Sequence, residues 1–147
     1  MPNEENNIIR LIDAIIVAWD NIDYYPEYEN GVLKKTYCNF FVNDVAKAVG
    51  CNDFHLPNTK EPFMADDIIQ RMSGSDRWQE IRVAGLAPDL MTIALKSVQM
   101  WANQGYLTIA GASSASLGST HAHVCVVRPG IMKSSGKWGE VPVVANC

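Results

Sequence analysis

At 147 residues and 16.3 kDa the chain has the length of one domain, 1–147, able to bury a core without disulfide or metal staples. With 48% hydrophobic and 19% charged residues it falls outside the disordered and low-complexity classes. A formal net charge of -4, with Lys and Arg scattered, lacks the basic footprint of a nucleic-acid or anionic-membrane binder, so no polyanionic partner is expected.

Near the N-terminus, Ile8, Leu11, Ile12, Ile15, Ile16 and Trp19 recur at helical steps, predicting a helix from Ile8 to about Ile22. Acidic residues stand where an export signal needs basic ones, and Arg10, Asp13 and Asp20 interrupt the apolar run. The segment therefore reads as a soluble amphipathic helix, neither signal peptide nor membrane span, which leaves localisation open. Pro26 and Gly31 break the period in DYYPEYENG, read as a tyrosine-rich loop. A second helix is predicted over about Tyr37 to Val49, stopped by Gly50.

Polar and turn-forming residues fill Cys51 to Pro62, and Met64 to Met72 reads as a short helix with Asp66 and Asp67 in its first turn, where the macrodipole favours negative charge. Trp78 to Val83 is expected to form another short helix. Leu90 to Asn103 carries Met91, Ala94, Leu95, Val98 and Trp101 on one helical face and is closed by Gly105. Beyond it the pattern shifts to short β-branched runs, YLTIAGA, HAHVCVVR and EVPVVA, separated by turn-forming stretches. Helices followed by strands, with connections too short for crossover helices, predict an α+β fold with an antiparallel sheet.

Chemistry enters with Cys38, at the head of the second helix in KKTYCNFFVNDVAKAVGC. It shares a face with Phe41, Val42, Val45 and Val49. One reading is a small hydrophobe filling a gap, since free cysteine is among the most buried residue types. The other rests on position: first-turn N–H groups lack intrahelical acceptors and carry the positive end of the macrodipole, which favours thiolate and can also receive an oxyanion.

A thiol nucleophile needs a base. The available histidines are His55, in a polar loop and read as solvated, and His121 and His123 in HAHVCVVR. Strand alternation puts His121, His123, Cys125 and Val127 on one face and Ala122, Val124 and Val126 on the other, leaving either His121 or His123 as the base. A catalytic zinc on this pair lacks a third ligand, and the four cysteines show no C-x-x-C, so neither metal nor cofactor is expected. Asn146 closes the strand VPVVAN and is a candidate to orient the imidazole, or simply a strand-ending turn former.

Taken in order, YCNFFVNDVAKAVG, ANQGYLTIAG, HAHVCVVRPG and KWGEVPVVANC resemble the papain-fold cysteine hydrolases of bacterial cell walls, the NlpC-like and CHAP-like amidases and endopeptidases. The resemblance covers about the last three quarters of the chain, and its specificity lies in the ordered set. It implies a papain-like domain with N-terminal helices packed on a C-terminal antiparallel sheet, Cys38 as nucleophile, His123 as base because it directly precedes Val124, and Asn146 as the orienting group. Ala122 stands where the family often has glycine. The implied substrate is peptidoglycan or a muropeptide, cut within the stem peptide or between muramic acid and L-alanine, in the periplasm or outside the cell.

Trp138, Tyr24, Tyr25 and Tyr28, with His121, are candidates to contact that substrate. An immunity or inhibitor protein is the partner to expect if the chain is a delivered effector. Two alternatives accompany this expectation: an inactive wall-binding or interaction module on the same scaffold, and a cysteine acyltransferase or protease with a substrate outside the wall.

Overall fold

The computed structural model describes residues 4–20 and 22–145. Helix α1 (Glu4–Trp19) is followed by a 3-10 turn (Ile22–Tyr24), so the helix ends before the 22nd residue, where the sequence pattern had placed its end. Its buried stripe is Ile12 and Ile16, whereas Ile8, Leu11 and Trp19 face outward. Only part of the apolar periodicity is thus spent on the core.

DYYPEYENG is no loop. Glu27–Glu29 (β1) and Val32–Lys35 (β2) form an antiparallel hairpin across Asn30 and Gly31. Both turn residues have positive φ, 52° and 76°, the requirement of a tight primed turn that Asn-Gly meets at little steric cost. The pairing of Glu27 with Lys35 and of Tyr28 with Leu33 leaves Lys34 as an extra residue, a bulge at the base of the hairpin.

Helix α2 (Cys38–Ala48) follows, its C-terminus at Val49 and Gly50 as the sequence predicts. Helix α3 (Ala65–Ser73) and helix α4 (Pro88–Asn103) also lie where the periodicity puts them. The helix expected over Trp78–Val83 is absent: that segment is irregular. Side-chain anchors set its course, since Arg77 and the Trp78 indole N–H both bond Asp53, at 2.8 and 3.0 Å, and the Trp78 ring packs on Phe54. These contacts fix Trp78 against a distant loop whatever its local helical preference.

The central sheet consists of β3 (Ile109–Ala112), β4 (His123–Val127) and β7 (Val144–Ala145), antiparallel in the order β3-β4-β7. A short helix α5 (Ser114–Leu117) joins β3 to β4, and a separate hairpin of β5 (Lys133–Ser135) and β6 (Gly139–Val141) precedes β7. The run EVPVVA is therefore split at Pro142, which has no N–H for a ladder. The mixed helix and antiparallel sheet agree with the α+β class.

Helix α2 lies against β4 at the centre of the core, where Phe41, Val42, Val45 and Ala46 join Val124, Val126 and Ala145 in one cluster. Ile12 and Ile16 from α1 and Ala65 and Ile68 from α3 complete it, with Phe54 and Phe63 from the intervening loop. Helix α3 approaches the sheet so closely that a Cβ on Gly111 would stand 2.9 Å from Ile69 Cγ1. Among the described residues no helix is long and apolar enough to cross a membrane.

Candidate active site

Cys38 is the first residue of α2. Tyr37 precedes it as the cap, in a non-helical conformation and with no side-chain capping bond, and Phe41 N–H makes the first intrahelical bond, to Tyr37 O at 3.0 Å. The N–H groups of Cys38, Asn39 and Phe40 thus precede the hydrogen-bond ladder of the helix, beside the thiol. Asn39, itself buried, donates from Nδ2 to Phe63 O at 3.0 Å and ties this helix end to the segment leading into α3. This helix end is thereby held by a tertiary contact rather than by a side-chain cap.

His123 is the first residue of β4, paired with Ala112 of β3. It is half-buried, and burial pulls its pKa below the ordinary histidine value, so the neutral imidazole is favoured. Cys38 and His123, far apart in sequence, line the same cavity of about 140 Å³. The core-facing set on this strand is Ala122, Val124 and Val126, while Cys125 and Val127 are buried outside that cluster.

Two of the tyrosines that line the cavity are held by hydrogen bonds. Tyr24 sets its ring edge-on to Phe41 and donates its hydroxyl hydrogen to Asp44 Oδ2 at 2.7 Å; its pKa is raised, first by burial and then by the bond to Asp44. Tyr37 donates its hydroxyl to Glu27 at the base of the hairpin. Pro26, Tyr28, Leu33 and Thr36 complete the lining. Pro26, Leu33, Thr36 and Tyr37 were not candidates in the sequence; the Asn30-Gly31 turn was the signal that a hairpin stood there.

Of the aromatic residues singled out from sequence, Tyr24 and Tyr28 line the cavity, whereas Tyr25 does not and is exposed. Trp138 sits between β5 and β6, half-exposed under Lys137, and is not a lining residue. His121 lies in the bend before β4, outside the cavity lining. His55, expected to be solvated, is partly buried, bridges to Pro62, and has a buried Nδ1. The proposed orienting residue Asn146 lies outside the described residues, as does Cys147; β7 is described as far as Ala145, opposite Val126.

The remaining thiols differ from Cys38 in setting. Cys125 is buried on β4, and its pKa is pushed up to about 12, chiefly by burial and then by the negative charge that Cys38 would carry. Cys51 is also raised, mainly by burial. Cys38, Cys51 and Cys125 are all unpaired thiols. Among the described residues no three His, Cys, Asp or Glu side chains cluster as a metal site would require.

No protein-family model, no curated protein and no solved structure matches this chain.

Proposed function

We propose that the chain is a cysteine hydrolase that opens an amide bond by acyl transfer, with peptidoglycan as its substrate. The supporting observation is that a thiol at the first position of a helix and an imidazole at the first position of a strand line one cavity. The substrate assignment rests on the resemblance to NlpC-like and CHAP-like cell-wall hydrolases.

In this mechanism His123 takes the Cys38 proton and the sulfur attacks the carbonyl carbon. Charge developing on the carbonyl oxygen is received by the first-turn N–H groups of α2. The imidazolium then gives its proton to the leaving nitrogen as the C–N bond breaks. Water, deprotonated by His123, attacks the thioester, and the C–S bond breaks to regenerate Cys38 thiol and the acid. Asn146 is assigned to hold the imidazole in the tautomer this sequence needs.

The test is incubation of the purified chain with isolated peptidoglycan, followed by mass spectrometry of the released muropeptides, whose new ends identify the cleaved bond. Cys38→Ala and Cys38→Ser are expected to retain the wild-type circular dichroism spectrum and to lose at least about 10³-fold in turnover. Undiminished turnover in both variants would remove Cys38 as nucleophile.

One observation favours a second reading, an inactive binding or interaction module: Cys38 is only 2% exposed and belongs to the core cluster, as a gap-filling thiol would. Iodoacetamide separates the two. A catalytic Cys38 alkylates faster than free cysteine at neutral pH and slows in His123→Ala, whereas a packing cysteine does neither.

A further inference from the structure

Resting on the reading of Cys38 as nucleophile, we infer that the β1–β2 hairpin determines specificity: Tyr28 and Leu33 admit one uncharged, apolar substrate group of about single-ring size beside the reacting carbonyl and turn charged groups away. Tyr28 and Leu33 are direct cross-strand partners, so they project from the same face of the hairpin, and both line the cavity of Cys38. Leu33 is the only partly buried residue of β2, all of β1 is exposed, and Val32 on the opposite face points outward. Tyr28 and Leu33 thus form a cross-strand pair on the wall of the cavity that Cys38 lines.

Size follows from volume. The cavity measures about 140 Å³, close to the ~150 Å³ of an engineered apolar cavity that takes up benzene. Polarity follows from what the lining lacks. Among the described residues it contains no Asp, Glu, Lys or Arg; the hydroxyl hydrogens of Tyr24 and Tyr37 are committed to Asp44 and Glu27, and Tyr28 and Thr36 contribute neutral hydroxyls. The charges of the hairpin have partners of their own, Lys34 with Glu29 at 2.9 Å, Glu27 with the Tyr37 hydroxyl and Lys35 over the Tyr37 ring. Among the described residues His123 is the one imidazole of the lining, and burial favours its neutral form. A charged substituent placed against Tyr28 and Leu33, away from the first-turn N–H groups of α2 that face the reacting carbonyl, would lose water without gaining a counter-charge.

The experiment follows alkylation of Cys38 in the full chain by peptide mass spectrometry, which distinguishes it from the other thiols. Three iodoacetyl reagents serve as probes: iodoacetamide, neutral and small; N-benzyl iodoacetamide, neutral with one ring; and N-iodoacetylglycine, anionic beyond the amide. In each case sulfur bonds to the reagent's methylene carbon, iodide leaves, and the thiol proton passes to His123 or water. Each rate is divided by that for N-acetylcysteine, which removes intrinsic reactivity.

We expect N-iodoacetylglycine to trail both neutral reagents by about tenfold or more. A two-ring reagent, N-naphthylmethyl iodoacetamide, should be slow on the wild type and gain about tenfold in Leu33→Ala and in Tyr28→Ala. An unchanged reagent order in both variants overturns the inference. So does parity of N-iodoacetylglycine with iodoacetamide on the wild type, or failure of every reagent to reach Cys38 in the folded chain. The hydrolase reading is scored separately by muropeptide release: a chain that cuts peptidoglycan but ignores the hairpin in reagent order loses this inference alone. A chain with the expected reagent order and no release loses the peptidoglycan reading alone.

Discussion

His123 enters the folded state as a half-buried imidazole with a depressed pKa, and burial is the whole cause. The unfolded chain keeps its proton up to about pH 6.5, so the folded state releases it at lower pH. Stability contributed by neutral His123 is therefore complete above about pH 6.5 and is lost as pH falls through the lower folded value. The urea midpoint is expected to drop between about pH 7.5 and about pH 5 and to drop less in His123→Gln; equal drops would assign the acid sensitivity to other groups. At neutral pH the same depression leaves His123 in the form that accepts a thiol proton. Cys125, with its pKa near 12, stays a thiol under those conditions and should alkylate far more slowly than Cys38. The sequence identified Cys38 and His123 as candidates from their places at the head of a helix and of a strand. It could not show how deeply each is buried, because burial depends on residues brought in from elsewhere in the chain.

At the level of elements, α2, α3 and α4 were legible because each keeps an apolar stripe at the 3.6-residue period and each ends at or just before glycine or its equivalent polar stop. The β1–β2 hairpin was missed because Pro26 and the glutamates around Tyr28 mask the alternation, although Asn30-Gly31 is a strong turn signal. That turn gives a direct test of the hairpin's weight in the fold. Gly31 sits at φ 76° with open space where a Cβ would be, so Gly31→Ala carries backbone strain and no clash. A loss of about 1 kcal/mol is expected by urea denaturation, with Gly31→Asn losing less because asparagine tolerates the left-handed region. Equal losses in the two variants would place the cost outside the backbone.

For the whole molecule, α1 is held against the core by apolar burial and to the end of β4 by one ion pair. Ile16 is fully buried in the cluster with Phe41 and Val126. Arg128 forks onto both Asp13 oxygens, at 3.0 and 3.2 Å, with both side chains about a third exposed. Burial should dominate: Ile16→Ala is expected to cost about 2–5 kcal/mol, and Asp13→Ala no more than about 1 kcal/mol because solvent screens the pair. Equilibrium urea unfolding measures both, and a larger loss from Asp13→Ala would reverse that ranking. By itself the sequence determined the α+β grammar, most helix positions, the strand cores and the place of Cys38 at a helix head, since these depend on spacing between near neighbours. Only the tertiary structure decided that Cys38 and His123 line one cavity, that Tyr28 and Leu33 wall it while Trp138 and Tyr25 stay outside, and that Trp78 follows Asp53 instead of a helical path. Those outcomes are set by packing among segments distant in sequence, and no local period encodes which surfaces will meet.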